Sequence, residues 1–152
     1  MLPQRLLFCT DFSENSITAR NYAVFLAESL QAELFVLHVI DSSLIGYPHL
    51  DEATPEDIKS ALNGIRDSVQ RALTLISEEC SKTASEVKTF SRFGIPSYEI
   101  VKFSKEFDIQ MIIMGTHGRT GFRHLIMGST AENVVRTAGC PVLTIRSSTG
   151  SG

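Results

Sequence analysis

The sequence has no tryptophan and contains three cysteines, Cys9, Cys80 and Cys140, among its 152 residues. The cysteines form no C-x-x-C pair and no Cys/His spacing typical of a zinc site. We therefore expect reduced, buried thiols in a cytoplasmic protein and no metal centre. A redox role for Cys80, which stands among serine, glutamate and lysine residues, has no further support in the sequence.

Long hydrophobic runs and an excess of positive charge are also missing. No apolar run approaches the ~20 residues that cross a membrane, so we expect no membrane segment. Residues 1–8 lead directly into an apolar run and do not predict a signal peptide. The net charge is −3 and the pI about 5.8. This balance argues against nucleic acid as the main partner, because a phosphate backbone is bound by a basic face.

The two common phosphate-binding signatures, G-x-x-x-x-G-K-[ST] and G-x-G-x-x-G, are both absent. The sequence instead has a different glycine pattern within residues 111–146. An apolar run at 111–114 stops at Gly115, Gly118 follows, and Gly-Ser-Thr at 128–130 precedes a helical pattern. This order predicts a buried strand, a glycine loop and a helix start.

Such an arrangement suits a phosphate group. Glycine lets a phosphate approach the backbone closely, and Ser129 or Thr130 is expected to cap the following helix, whose first N–H groups favour an anion. Between Gly115 and Arg136 the charged residues are Arg119, Arg123, Glu132 and Arg136, a net of +2. Turn glycines and a helix cap would contain the same residue types, and the arginines are as compatible with solvent as with phosphate contact. The order of the elements favours the phosphate interpretation.

The chain as a whole predicts an α/β fold. Strands are predicted at residues 5–9, 33–40, 86–91, 109–114 and 141–146. Helices are predicted after Ser13, which is expected to be the N-cap, from Thr54-Pro55, at 97–107 and at 129–137. Their alternation predicts a single doubly wound five-stranded parallel sheet with helices on both faces. With the strand order 3-2-1-4-5, ligands bind where the winding reverses, between strands 1 and 4. We expect one domain over residues 1–146 and a disordered tail at 147–152.

The Gly-x2-Gly-x9-Gly-Ser pattern resembles the nucleotide-binding motif of the universal stress protein family, in its ATP-binding branch. The resemblance extends over nearly the whole chain. It includes Thr-Asp-Phe-Ser at 10–13, Leu-His-Val-Ile-Asp at 37–41 and Gly-Ile-Pro at 94–96. One position departs from the pattern: Cys9 stands where close ATP-binding members often have proline, which loosens that contact.

The resemblance implies which residues contact an adenine nucleotide. The candidates are Thr10, Asp11, Val39, Met114, Gly115, Gly118, Arg119, Gly128, Ser129 and Thr130. Asp11 and Val39 are expected at the adenosine, Met114 on the adenine side, Gly115 and Gly118 at the ribose and phosphate, and residues 128–130 at the phosphates. The expected ligand is ATP, or ADP or AMP, with Mg²⁺ held mainly by the phosphates and by no separate protein site.

These implications predict a cytoplasmic stress-response regulatory protein that acts through nucleotide occupancy and dimerisation. No catalytic residue is predicted. Phosphoryl transfer needs a cation on the γ-phosphate, a carboxylate for Mg²⁺ and a group that orients the nucleophile. The glycine stretch contains no lysine, and its carboxylate is Glu132. A slow ATPase in which His117 acts through a water molecule is an alternative.

The sequence leaves two further alternative functions open and predicts one protein partner, a second copy of the chain. A nucleotide-independent interaction module is one alternative, because some universal stress proteins lack the glycine motif. A flavin carrier with this topology is the other; it needs aromatic residues in the loops after strands 3 and 4, where Phe93 and Phe122 qualify. The final strand predicts a homodimer that pairs through Val142 and Thr144, because it is an apolar edge with little charge. The downstream partner is not predicted.

His38 lies between apolar neighbours in a predicted strand. We interpret it as a structural histidine rather than a metal ligand, since a buried ring nitrogen usually bonds to a nearby backbone group.

Overall fold

The computed structural model describes residues 1–45, 52–117 and 127–147, and in these ranges the chain forms five strands and four helices. The strands are β1 Arg5–Cys9, β2 Glu33–Asp41, β3 Val87–Gly94, β4 Met111–Gly115 and β5 Val142–Ile145. The helices are α1 Asn15–Leu30, α2 Pro55–Cys80, α3 Pro96–Glu106 and α4 Ser129–Thr137, and a 3₁₀ turn covers Ser42–Ile45. All strand pairs are parallel, and the order is β3-β2-β1-β4-β5. The predicted fold is confirmed.

β1 occupies the centre of the sheet and is buried on both faces. Leu7 is paired with Phe35 of β2 on one side and with Ile112 of β4 on the other. Leu6 and Phe8 pack into the core beneath α1 and α2, and Leu7 packs into the core beneath α3 and α4. Because alternate side chains of a strand point to opposite faces, a strand covered on both sides must be apolar throughout.

The start of α2 follows the sequence prediction closely. Thr54 is the N-cap and Pro55 the first helical residue. The Thr54 hydroxyl accepts a hydrogen bond from the Asp57 backbone N–H at 3.1 Å, and the Asp57 carboxylate accepts from the Thr54 N–H at 2.9 Å. This reciprocal pair satisfies two N–H groups of the first turn. The hydrogen bonds from Thr54 lower the pKa of Asp57.

The packing of α2 differs between its two halves. Val69 and Leu73 are buried against the sheet, whereas Ile65, one turn earlier in the same apolar stripe, is 40% exposed. Cys80 at the end of the helix is 1% exposed despite its polar neighbours in sequence. The C-terminal half of α2 therefore covers the core, and its N-terminal half extends past the ends of the strands.

Some predicted strand limits were wrong. β3 continues to Gly94 because it pairs with β2 along its length, as far as Asp41 opposite Gly94. β4 begins at Met111, not at residue 109, because the Ile109 N–H still bonds to the Ser104 carbonyl at the end of α3.

A cluster of phenylalanines joins α3 to the sheet: Phe35, Phe90, Phe103 and Phe107. Two cations of the edge strand β3 lie over these rings. The Lys88 Nζ is 5.4 Å from the centre of Phe35, and the Arg92 guanidinium carbon is 5.5 Å from the centre of Phe103. Lys88 is also 2.9 Å from Glu86, and Arg92 is 2.9 Å from Glu106. One edge of the sheet is thus charged, whereas β5 at the other edge has no charged residue.

Two glycines provide a test of the backbone. Gly64 lies inside α2, and a Cβ added there would meet no atom within 4 Å. Gly64→Ala should therefore raise the free energy of unfolding by about 1 kcal/mol, the difference in helix propensity. Gly94→Ala should lower it, because φ is +153° and the new Cβ would lie 2.9 Å from Glu99 Cγ. Urea denaturation measures the free energy of unfolding of both variants. A Gly64→Ala protein that is no more stable than wild type would contradict the placement of Gly64 at an open position inside α2.

Candidate functional site

The carboxyl ends of β1, β2 and β4 border a cleft of about 860 Å³. Its volume lies within the ~300–1,000 Å³ typical of small-molecule sites. It lies where the winding of the sheet reverses, between β1 and β4. Eight of the ten candidate residues line it: Thr10, Asp11, Val39, Met114, Gly115, Gly128, Ser129 and Thr130. Gly118 and Arg119, like Arg123 and Phe122, lie outside the described residues.

The turn after β1 holds Asp11 at the cleft. The Asp11 Oδ1 atom accepts hydrogen bonds from the Ser13 backbone N–H at 3.0 Å and from the Ser13 hydroxyl at 2.5 Å. Ser13 was expected to cap α1, and this prediction is wrong. The N-cap is Glu14, which makes no side-chain cap bond. The Ser13 hydroxyl instead closes a local Asp-Ser turn, a common competitor of helix capping.

Behind Asp11 lies a short chain of buried hydrogen bonds. The Thr10 hydroxyl accepts the Phe12 backbone N–H at 3.0 Å and lies 3.1 Å from the Ser16 hydroxyl. Ser16 donates its hydrogen to the Ser13 carbonyl at 2.7 Å, so Thr10 must be the donor to Ser16. Thr10 and Ser16 are 6% and 8% exposed. Each bond compensates for the removal of these polar groups from water.

Phe12 adopts an unusual backbone conformation at this point. Its φ is +64°, in the left-handed region. This backbone conformation costs a residue with a bulky side chain about 1–3 kcal/mol. Its ring stacks on His38, with ring centres 4.2 Å apart and planes inclined by 26°. The His38 Nδ1 lies 2.8 Å from the Thr10 carbonyl oxygen and so carries the hydrogen that it donates. His38 is buried and supports the turn, in agreement with a structural role.

The opposite wall is built where β4 ends and α4 begins. The Thr116 N–H bonds to the Ile145 carbonyl at 3.0 Å, and the Gly128 N–H bonds to the Thr116 carbonyl at 2.6 Å. These bonds join the residue after β4 to β5 and to the start of α4. Gly128 is the N-cap of α4 and no side chain caps the helix, so the expectation that Ser129 or Thr130 caps it is wrong. The first-turn N–H groups of α4, which have no acceptor within the helix, border the cleft and favour an anion.

The groups with potential catalytic chemistry have partners of their own. The His117 Nδ1 is 3.0 Å from the Thr116 hydroxyl, and Thr116 is buried. Glu132 of α4 accepts a hydrogen bond from Arg136 at 2.7 Å. The Ser147 hydroxyl donates to the Asn15 side chain at 3.0 Å, next to this wall. Phe93, considered for a flavin site, is not among the described residues that line the cleft.

The sequence interpretation missed the wall that α2 contributes. Its lining residues are Ala61, Gly64, Ile65, Ser68 and Val69. Through them the cleft reaches from the layer of α3 and α4, represented by Ile100 and Met114, to the layer of α1 and α2, represented by Phe12 and Val69. The small residues at 61, 64 and 68, which share one face of the helix, were the available signal.

Two absences hold for the described ranges, 1–45, 52–117 and 127–147. No group of three or more histidine, cysteine, aspartate or glutamate residues in them is arranged to hold a metal ion. Within the same ranges, no helix has the length and apolarity needed to span a membrane.

The sheet order, the cleft at its reversal and the polar turn after β1 define a doubly wound α/β protein with a cleft at the carboxyl ends of its strands. The family model "Universal stress protein family" matches residues 3–146. The chain belongs to this family.

The chain is similar to named relatives over nearly its whole length. It is 32% identical to universal stress protein MJ0531 of Methanocaldococcus jannaschii, over 95% of this chain and 83% of that protein. It is 30% identical to universal stress protein YxiE of Bacillus subtilis, over 93% and 98%. The solved structure of MJ0577, also from M. jannaschii, superposes with a TM-score of 0.87 at 28% identity, over 99% of this chain and 100% of that one.

Two more distant structures share the fold and were solved with nucleotides. One universal stress protein was solved in complex with cAMP; it is 18% identical, with a TM-score of 0.71 over 96% of this chain and 98% of that one. The universal stress protein from Archaeoglobus fulgidus was solved in complex with dAMP; it is 22% identical, with a TM-score of 0.63 over 95% and 99%. At these identities the likeness establishes the fold alone.

The three cysteines are free thiols, and the structure buries two of them, Cys9 and Cys80. Burial raises the pKa of Cys80 to about 11. Burial also raises the pKa of Cys9, and the neighbouring Cys140 adds to this effect. Because the thiolate is the reactive form, these cysteines are poor nucleophiles at neutral pH, which argues against a redox role for Cys80.

The Cys80 thiol should make stability depend on pH in the alkaline range. The pKa is higher in the folded state than the ordinary 9.0, so between pH 9 and 11 the unfolded chain binds fewer protons than the folded one. The free energy of unfolding should therefore fall as pH rises through this window. Urea denaturation from pH 8 to 11 should show a shallower fall for Cys80→Ala than for wild type. Identical slopes for Cys80→Ala and wild type would contradict this.

Proposed function

We propose that this protein binds an adenine nucleotide, ATP in the first place, and that it serves as a stress-response regulator through nucleotide occupancy. The observation that carries the proposal is the convergence of eight candidate residues, from four separate segments of the chain, on one cleft of about 860 Å³. Segments that lie far apart in sequence meet there with two complementary kinds of surface.

The lining of the cleft suits the two parts of a nucleotide. Val39 and Met114, which are 9% and 6% exposed, offer an apolar surface for a base, and the Asp11 carboxylate, which also lines the cleft, offers hydrogen-bond acceptors. Gly128 has no side chain, and the first turn of α4 offers backbone donors to a phosphate. An apolar surface for a base together with backbone donors for a phosphate is the combination that supports a nucleotide.

The ligand class is supported by the fold relatives solved with cAMP and dAMP. ATP is favoured over a monophosphate by the resemblance of the glycine spacing to the ATP-binding branch. Mg²⁺ would be held mainly by the phosphates, since the described residues form no carboxylate cluster at the cleft. Calorimetric titration with ATP, ADP, AMP and cAMP, each with and without Mg²⁺, ranks these ligands. Binding of none of them would contradict the proposal and favour a nucleotide-independent interaction module.

Gly128→Val tests the phosphate end of the site. The backbone of Gly128, φ −70° and ψ 161°, is one that valine adopts easily, so the fold should be retained. The branched side chain would occupy the approach of the phosphate, and ATP affinity should fall by about ten-fold or more, the loss of at least one charge-assisted contact. Gly139→Val is the matched control, because residue 139 is exposed and its added Cβ meets no atom within 4 Å. Equal losses in both variants would remove the support for this site.

We propose further that the bound nucleotide is not turned over rapidly. Glu132 pairs with Arg136, and the Asp41 Oδ1 atom accepts from the Ser43 N–H at 2.9 Å and the Ser43 hydroxyl at 2.7 Å. His117 is oriented through its Nδ1 by Thr116. None of these described groups is arranged as the set of cation, metal-binding carboxylate and base that phosphoryl transfer requires.

Turnover of ATP should accordingly lie far below the ~10 s⁻¹ that is typical of enzymes. The protein is incubated with ATP and Mg²⁺, and ADP is measured by chromatography. His117→Ala should change this slow rate little. Several turnovers per second that disappear in His117→Ala would identify an enzyme and refute the occupancy proposal.

We propose that β5 pairs with its counterpart in a second copy and forms a homodimer. Val142 and Thr144 are half-buried in the single chain, lie on the outermost strand and have no charge near them on that strand to oppose pairing. A two-fold axis would let the same edge serve both copies.

Charge introduced on this edge should prevent assembly. Val142→Lys with Thr144→Lys is expected to give monomers in light scattering, whereas Thr89→Lys with Ser91→Lys on the opposite edge strand β3 should leave the dimer intact. A wild-type protein that is monomeric at micromolar concentration would contradict the dimer.

A further inference from the structure

Among the described residues, three that are not glycine have a positive φ: Phe12, Gln31 and Asp108. Gln31 is the C-cap of α1, and Asp108 follows the C-cap of α3. Left-handed residues at helix ends are common, because they satisfy the last carbonyl groups. Phe12 lies instead between a strand and a helix, it lines the cleft, and its side chain is among the least suited to this conformation. The left-handed conformation of Phe12 therefore has a cause other than the end of a helix.

Contacts on both sides hold Phe12 in this conformation. Its N–H is bonded to the buried Thr10 hydroxyl, which is itself fixed by Ser16. Its ring lies on the ring of His38, and His38 in turn donates to the Thr10 carbonyl. The backbone bond and the ring stack thus tie the turn to β1 and to β2 at once. A glycine could adopt the same φ, but it would lack the ring that keeps the chain there.

The conformation of Phe12 decides where the Asp11 carboxylate lies. Ser13 donates two hydrogen bonds to Asp11 Oδ1. In the backbone Phe12 is the one residue between them, so its dihedral angles set the position of Ser13 relative to Asp11. A change of φ at residue 12 from the left-handed to the ordinary region would carry the Ser13 N–H and hydroxyl away from that oxygen. The side chain of Asp11 would then lose the two hydrogen bonds from Ser13 that orient it at the cleft.

We propose that Phe12 is a positioning residue of the nucleotide site: its left-handed backbone, locked by the stack on His38, holds Asp11 in the orientation that a nucleotide requires. The inference rests on the proposed function, because Asp11 is a candidate ligand contact. Phe12 acts through Asp11, and its effect on affinity should vanish when Asp11 can no longer contribute.

The test is a double-mutant cycle of Phe12→Gly and Asp11→Asn, read by calorimetric titration with ATP and Mg²⁺. Phe12→Gly should weaken binding by about ten-fold, as loss of one charged hydrogen bond does. Phe12→Tyr, which retains the ring, should bind within two-fold of wild type. Phe12→Gly combined with Asp11→Asn should bind no more weakly than Asp11→Asn alone. Wild-type affinity in Phe12→Gly, or losses that multiply in the double variant, would overturn the proposal.

A second measurement does not need the nucleotide. Hydrogen exchange of the Ser13 amide in the unliganded protein reports the bond to Asp11 Oδ1, and this amide should be protected in wild type and Phe12→Tyr but exchange faster in Phe12→Gly. Equal protection in all three would overturn the inference whatever ATP does. If wild type binds no nucleotide but the exchange result holds, the proposed function fails while the positioning of Asp11 by Phe12 stands. Phe12→Asn, whose side chain tolerates the left-handed region, replaces Phe12→Gly in both measurements if the glycine variant does not fold.

Discussion

The burial of β1 between two neighbouring strands and two helical layers is the constraint on which the rest of the structure depends. Every side chain from Leu6 to Cys9 is removed from water, and both edges of the strand are used in pairing. Polar chemistry can begin only where the strand ends, and it begins at once with Thr10 and Asp11. In a parallel sheet all such ends meet at one rim, so the same rule that makes the core apolar gathers the polar groups at the cleft.

The cleft is assembled from parts that are fixed in different ways. On the β1 side, buried hydroxyl groups and a ring stack hold the turn, and on the β4 side two backbone bonds join the residue after β4 to β5 and to the start of α4. The wall from α2 differs from these two: its N-terminal half extends beyond the sheet, with Ile65 partly in water. Two walls of the cleft are therefore tied to the core, and the third is held chiefly by the packing of Val69 and Leu73 further along its helix.

The sequence was sufficient for the fold because each element carried a local cause. The Thr54-Pro55 pair marks the start of α2, and the uncharged run before Gly115 marks β4, without reference to distant residues. The candidate site could be predicted from the sequence where glycines follow directly after the end of a strand. The caps of α1 and α4 were predicted wrongly because a serine has several acceptors and donors within reach, and the Ser13 hydroxyl bonds to Asp11 in a turn that forms only in the folded chain. The left-handed Phe12 and the α2 wall depend on contacts between segments far apart in the chain, such as Phe12 with His38.

The two edges of the sheet differ in a way that bears on how large an assembly can grow. β3 carries Lys88 and Arg92 with their acidic partners, whereas β5 is uncharged. A molecule with two receptive edges could add copies end to end without limit and form fibres. If one edge strand alone can pair, a dimer across a two-fold axis uses that edge in both copies. No further copy can then be added by strand pairing, and assembly stops at two copies. The charges on β3 would then prevent further strand pairing and protect a concentrated protein from polymerisation.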